Sequence, residues 1–202
     1  MDTLLLLFIA NAVLTLLVVG YVVHKYNTLV ELENRYENAF SQIDVQLKRR
    51  YDLIPNLVET AQGSLEHEEE TLKAVTEARN QAQTAEEQAA GTPGDPEAMQ
   101  SLQSAESQLS SALGRLMMTV EDYPTLRANA TMQELMEELR STENKVAFAR
   151  QHYNDAVTRY NTERESFPTI FLAEAFNYDE AELFEVELEE EREAVEVAFT
   201  NS

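Results

Sequence analysis

The feature that most constrains this chain is an apolar run of 20 residues, residues 4–23, close to its N-terminus. Asn11 and Thr15 are the only polar residues in the run apart from Tyr21 near its end. As a helix rising about 1.5 Å per residue, the run is ~30 Å long, enough to cross the hydrocarbon core of a bilayer. The sequence therefore predicts a single transmembrane helix, with residues 1–25 as the anchor.

A cleaved signal peptide is the alternative interpretation of the same run. Such a peptide needs a basic segment before the apolar residues and a small-residue cleavage site after them. Here Asp2 is the only charged side chain ahead of the run, and His24-Lys25-Tyr26 follows it. The pattern favours an uncleaved anchor.

The charges that flank the run indicate its orientation. Lys25 and Arg35 lie within roughly 20 residues of its C-terminal end, whereas the N-terminal flank offers only the α-amine. The positive-inside rule then predicts an N-terminus outside and a cytoplasmic C-terminal domain.

Beyond the anchor, apolar residues recur at helical spacing, and alternation typical of strands is scarce. Residues 26–168 predict four long helices joined by short connections, packed as an antiparallel four-helix bundle or coiled coil. Pro55 is expected to kink the first helix, and residues 91–96 (GTPGDP) to end the second, with Asp95 capping the third. The fourth has the most regular seam, with Thr131 and Glu134 as a candidate capping box: Leu135, Leu139, Thr142, Val146, Ala149, Tyr153, Ala156 and Tyr160.

Residues 169–202 form an acidic C-terminal tail. Between residues 178 and 199 it has ten acidic residues and a single base, Arg192. Such a charge density is typical of a solvated, weakly ordered end. Interleaved apolar residues, Leu183 and Phe184 among them, leave open a strand or docking segment.

The composition excludes several kinds of chemistry. The formal net charge of −22 disfavours nucleic-acid binding, and the absence of cysteine excludes disulfides and thiolate sites. A di-iron site needs Glu three residues before His, but Ser64 and Ala149 precede His67 and His152 at that spacing. We therefore predict no catalytic residues, no metal and no cofactor. The alternative is an enzyme that uses carboxylates buried in the bundle.

Two polar clusters interrupt the amphipathic pattern. Lys48, Arg49 and Arg50 belong to a membrane-proximal stretch, residues 24–50, with five bases and four acids. They are a candidate patch for anionic lipid or an acidic partner. The alternative is a polar layer between helices that fixes their register, with the following members: Asp44, Arg50, Asp52, Glu143, Arg150, Asn154 and Asp155.

At these clusters the sequence resembles the LemA family of prokaryotic membrane-anchored proteins. The stretches that carry the resemblance are residues 26–34 (YNTLVELEN), 41–50 (SQIDVQLKRR), 52–58 (DLIPNLV), 123–129 (YPTLRAN), 143–151 (ENKVAFARQ), 153–155 (YND) and 160–162 (YNT). The resemblance implies a short outer N-terminus, one span of the inner membrane of a prokaryotic cell and a helical bundle, without an established reaction. The chain departs from the family pattern at residues 176–178 (FNY), where members commonly have Gly-Phe.

Together these observations predict a non-enzymatic membrane scaffold, adaptor or assembly factor. Its expected partners are the lipid bilayer, other membrane proteins and further copies of itself. The alternative function is a lipid-sensing or membrane-remodelling module that uses the basic patch.

Overall fold

The computed structural model describes residues 2–65 and 68–185, and all regular secondary structure within these ranges is helical. The helices are α1 (Asp2–Gln62), α2 (Glu69–Gly91), α3 (Pro96–Asp122), α4 (Pro124–Arg127), α5 (Ala130–Glu165) and α6 (Thr169–Phe176). The predicted all-α fold with one long apolar N-terminal helix is confirmed.

Helix α1 passes without a break from the apolar run into the packed part of the molecule. Residues 4–21 are all exposed, and in the described chain α1 is the one helix long and apolar enough to cross a membrane. From Leu29 onward α1 instead buries one stripe of side chains, which includes Tyr36, Phe40, Ile43, Leu47, Ile54 and Leu57. One continuous helix therefore has two different environments.

Helix α5 packs antiparallel along the buried stripe of α1. Two ion pairs show this direction. Lys25 contacts Glu163 near the end of α5, and Arg49, further along α1, contacts Glu138 near the start of α5. The seam predicted for this helix is buried at these positions: Leu139, Thr142, Val146, Ala149, Tyr153, Ala156 and Tyr160.

Aromatic side chains fill the interface between α1 and α5. The Tyr36 ring lies edge-on to Tyr160 with the centroids 5.1 Å apart, and the Phe40 and Tyr153 centroids are 5.7 Å apart. Edge-to-face pairs at these distances add to the stabilisation from apolar burial. This aromatic contact fixes α5 against α1.

Helices α2 and α3 form a second antiparallel pair, which packs on α1 through α2. The connection between them is the predicted one, since the Asp95 carboxylate accepts a hydrogen bond from the Ala98 amide at 2.9 Å and Pro96 occupies the first helical position. The main contacts thus follow the order α5, α1, α2, α3. A closed four-helix bundle stays a prediction.

The cap of α5 differs from the predicted one. Helix α5 begins at Ala130, and the Asn129 side chain accepts a hydrogen bond from the Met132 amide at 3.2 Å. Thr131 therefore lies inside the helix, and the predicted Thr131–Glu134 capping box is wrong. Asparagine is among the most favourable N-cap residues, and here it precedes the threonine.

Helix α1 continues through Pro55 because another side chain replaces the missing donor. Proline has no backbone N–H, so the carbonyl oxygen of Tyr51, four residues earlier, loses its helical hydrogen bond. The Arg79 Nε–H of α2 donates to that oxygen at 3.2 Å. The backbone hydrogen bond that α1 lacks at Pro55 is thus replaced by a contact between α1 and α2.

Replacing Arg79 by methionine should therefore lower the free energy of unfolding by about 1–3 kcal/mol, since a buried acceptor loses its donor. In a Pro55→Ala background, the restored backbone N–H should remove much of this cost. Urea denaturation of the four variants measures the coupling, and Lys73→Met serves as an exposed control. An equal cost of Arg79→Met in both backgrounds would contradict the interpretation.

Candidate functional site

The three consecutive bases of α1 have different surroundings. Arg50 is buried, whereas Lys48 and Arg49 are exposed. Lys48 Nζ lies 2.7 Å from Asp44 Oδ1, and Arg49 Nη2 lies 2.6 Å from Glu138 Oε1. Each base thus faces a carboxylate, and only two of the three lie on the surface.

Arg50 belongs to a buried polar cluster between α1 and α3. Its guanidinium donates to Glu106 Oε2 at 2.8 Å and to the Ser110 hydroxyl at 3.1 Å. The Tyr51 hydroxyl donates to the other oxygen of Glu106, and burial raises the pKa of Tyr51 well above its ordinary value. The cluster fixes the position of α3 relative to α1, as expected for a polar layer.

A second buried carboxyl group, that of Glu86, lies beside Lys48 of α1. Glu86 of α2 is fully buried, and Lys48 Nζ is 3.6 Å from its Oε1. Burial, followed by the nearby Asp44 carboxylate, raises the pKa of Glu86 to about 8. Glu86 is therefore protonated at neutral pH, because a neutral carboxyl loses less hydration energy on burial than a carboxylate.

The other residues predicted for a polar layer lie apart from these clusters. Asp52, Glu143 and Asp155 are exposed. Arg150 has its guanidinium carbon 5.8 Å from the centroid of the Phe184 ring, and Asn154 bonds to the backbone of Phe184. Of the predicted set, the structure therefore brings Asp44 and Arg50 to the interface of α1 with α2 and α3, and Arg150 and Asn154 to the C-terminal segment.

Within the acidic tail, residues 178–185 follow α6 and lie beside α5 without regular secondary structure; we call this stretch the docked segment. Two amides of α5 each form a pair of hydrogen bonds with its backbone, as a neighbouring strand would. The Asn161 side chain accepts from the Ala181 N–H at 3.0 Å and donates to the Ala181 carbonyl at 2.8 Å. The Asn154 side chain makes the equivalent bonds with Phe184, at 2.8 and 3.1 Å.

Other donors bind further carbonyl groups of the docked segment. The Tyr160 and Tyr153 hydroxyls donate to the carbonyls of Asp179 and Glu182, each at 2.8 Å. Gln103 of α3 donates to the Leu183 carbonyl at 2.8 Å. The docked segment thus bridges α5 and α3, and the predicted acidic tail is packed against the helices as far as residue 185; its remainder, residues 186–202, lies outside the described residues.

The apolar and the acidic side chains of the docked segment have different surroundings. Ala181 and Phe184 are buried, whereas Asp179, Glu180, Glu182 and Glu185 are exposed. The Glu182 amide also donates to the Gly94 carbonyl at 2.8 Å. Gly94 has a φ of +87°, and a Cβ placed there would lie 3.0 Å from the Ala181 Cβ, so this turn needs glycine.

The sequence analysis did not identify Glu86 and Glu106 as buried partners, or the Tyr-Asn positions as the groups that bind the docked segment. Glu86 and Glu106 occupy apolar positions of amphipathic helices, where a charged residue itself indicates a buried partner. The repeat of Tyr-Asn at residues 153–154 and 160–161, seven residues apart on one helix face, could have indicated a site for an extended backbone.

Two open grooves, each of about 920 Å³, run between α1 and α5 on the outside of the molecule. The first contains Phe148, which is 65% exposed and lies among polar groups that include Gln46, Arg140 and Lys145. The second contains Asp155, His152 and Arg159. Within residues 2–65 and 68–185 no group of three potential metal ligands converges.

The raised pKa of Glu86 makes stability dependent on pH. The native state keeps a proton that the unfolded chain releases above about pH 4.5, so the free energy of unfolding should fall from that pH to about pH 8. Glu86→Gln, which cannot ionise, should reduce this slope and raise the Tm at pH 8. Thermal unfolding from pH 5 to 8.5 measures the effect; Glu87→Gln is the exposed control, and parallel curves for wild type and Glu86→Gln would contradict the assignment.

The docked segment should open when its amide partners are removed. Asn154→Ala and Asn161→Ala each delete two hydrogen bonds of about 1 kcal/mol apiece. Amide hydrogen exchange at Phe184 and Ala181 should accelerate by about tenfold or more in the matching variant. Asn144→Ala on the exposed face of α5 is the control, and unchanged protection in the first two variants would show that the amides do not hold the segment.

The sequence is similar to those of several known proteins. The chain is 28% identical over 179 residues to two proteins named magnetosome proteins MamQ 1 and MamQ 2 of Paramagnetospirillum magneticum, which covers 80% of this chain and 65% of each relative. It thus spans somewhat less than two thirds of their length. It is also 25% identical to the protein LemA of Metamycoplasma hominis, over 88% of this chain and 77% of that protein.

The family model of the LemA family matches residues 39–199, which include the second part of α1, all of α2 to α6 and the docked segment. The polar clusters and the paired Tyr-Asn positions all lie within this match. The chain belongs to the LemA family.

Proposed function

We propose that this protein is a single-pass membrane-anchored scaffold or adaptor without enzymatic activity. The observation that carries the proposal is the continuity of α1, whose exposed apolar residues 4–23 extend directly into the buried stripe from Leu29 to Leu57. Exposed apolar side chains over ~30 Å of helix suit lipid and not water. A continuous helix transmits the position of the anchor to the packed domain.

The local charges support an outer N-terminus and a cytoplasmic domain. Lys25 and Arg35 follow the apolar run, and acidic residues near the run contribute little to orientation. In this orientation the grooves between α1 and α5 face the cytoplasm.

The use of polar groups supports an adaptor and not an enzyme. Arg50, Glu106 and Tyr51 bond to each other between helices, and the Tyr-Asn positions bind the backbone of the chain itself. These contacts organise the domain. The relatives named as magnetosome proteins support a structural role, because that name refers to a cellular structure and not to a reaction.

The first groove is the surface that we propose for a protein partner. An exposed aromatic side chain surrounded by polar groups is typical of a residue that anchors an interface. Phe148 has this setting, with Met136 and Arg140 beside it on α5. The occupant on this proposal is another membrane protein or a second copy of this chain.

The lipid-sensing alternative has less support. Arg50 is 5% exposed and is paired with Glu106, while Lys48 and Arg49 face Asp44 and Glu138. Lys48 also follows Val23 by 25 residues of continuous helix, a length of about 37 Å. That exceeds the Debye length of ~8 Å several times for an upright helix.

The absence of cysteine allows one variant to test location and partner together. Phe148→Cys, labelled with a benzophenone maleimide in native membranes, should give photo-cross-links to itself or to another membrane protein, and the cross-linked chain should stay in the membrane after carbonate washing. A membrane-impermeant maleimide should reach this cysteine only after permeabilisation.

Met118→Cys, an exposed position on α3, is the matched control, and the cysteine-free parent reports background labelling. Release of the chain by carbonate would refute the anchor. Retention without any protein cross-link specific to residue 148 would refute the groove as a docking surface.

A further inference from the structure

The corner between α5 and α6 is an uncharged, aromatic surface in a strongly charged protein. Residues 166–173 (SFPTIFLA) contain no charged side chain, although 26% of the chain is charged. Phe167 is 82% exposed and Phe171 is 62% exposed, and their ring centroids are 6.0 Å apart. Two adjacent phenyl rings open to the surroundings indicate a surface that is covered by something apolar.

The rest of α6 holds this corner firmly in place. Thr169 and Ala173 are buried against the domain, so the opposite face of the short helix carries Phe171 outward. Helix α6 ends at Asn177 with a φ of 56°, a left-handed conformation that asparagine tolerates better than most residues. The exposed rings are thus presented by a packed element.

The packing also fixes the level of the corner along α1. Lys25 pairs with Glu163 at 2.7 Å, and α5 runs antiparallel to α1, so the chain beyond Glu163 continues past Lys25 towards the apolar run. At the other end of α6, the Phe176 ring packs on Tyr26, with the centroids 5.0 Å apart. The corner with Phe167 therefore lies beside the C-terminal end of residues 4–23.

This level coincides with the expected boundary between hydrocarbon and water. Tyrosine and tryptophan concentrate at that boundary, where Tyr21 and Tyr26 of α1 lie in sequence, and phenylalanine is among the apolar residues that insert into it from helices lying on the membrane. The bases Lys25 and Arg164 near this level are paired with Glu163 and Glu165, at 2.7 and 3.8 Å, so their charges are largely neutralised. An uncharged aromatic surface continuous with a membrane span fits lipid better than a partner in water.

We propose that Phe167 and Phe171 insert into the membrane interface and form a second contact of the domain with the bilayer, beside the span of α1. This inference rests on the proposed membrane anchor. A helix anchor alone leaves the domain free to rotate about the helix axis and to tilt, whereas a second contact off that axis restricts both motions.

The absence of tryptophan from the chain allows a direct test with single tryptophans in the full-length protein. Phe171→Trp should show blue-shifted emission and quenching by lipids brominated near the headgroup in phosphatidylcholine vesicles. We expect quenching about twofold or more above that of Phe148→Trp, an aromatic position of similar exposure far from the span. Val13→Trp, near the middle of the apolar run, reports insertion of the anchor itself through quenching by lipids that are brominated deep in their acyl chains.

The outcomes separate the two proposals. Unquenched Val13→Trp would refute the membrane anchor. Quenched Val13→Trp with Phe171→Trp no more quenched than Phe148→Trp would refute only the second contact. Blue-shifted but unquenched Phe171→Trp would also overturn it, in favour of a protein covering the corner.

Discussion

The packing of α5 along the buried stripe of α1 is the interaction on which the rest of the molecule depends. The rings of Tyr36, Phe40, Tyr153 and Tyr160 interlock between the two helices. Because α1 also contains the apolar run, this one interface fixes how every other element lies relative to residues 4–23. The aromatic corner follows the end of α5, and the Tyr-Asn positions lie on α5 itself. Both surfaces are thus placed by the same contact.

Much of this fold could be predicted from spacing and local chemistry. The heptad seam of α5, the turn at residues 91–96 and the apolar N-terminal helix depend on neighbouring residues, and the structure has all three. The cap of α5 could not be chosen in the same way, because Asn129 and Thr131 are both good N-caps and lie two residues apart. The structure selects Asn129, where the backbone is extended.

The candidate site was harder to predict because its groups are far apart in sequence. In the sequence, Arg50 is a candidate both for the basic patch and for a polar layer. Its partner Glu106 lies on α3, and no local spacing connects the two residues. The tail is a second example. Its charge indicated a solvated end, yet charge describes only the outward side chains. The part that packs is the backbone, together with Ala181 and Phe184.

The way in which α5 holds the docked segment has an evolutionary consequence. The two asparagines and two tyrosines recognise main-chain N–H and carbonyl groups, which every sequence except proline presents alike. The side chains of Ala181, which faces Gly94, and Phe184, whose ring contacts Arg150, are constrained by their contacts. The outward-facing residues of the docked segment can change without loss of the backbone hydrogen bonds. The acidic character of these positions is therefore a trait that selection can adjust independently of the fold.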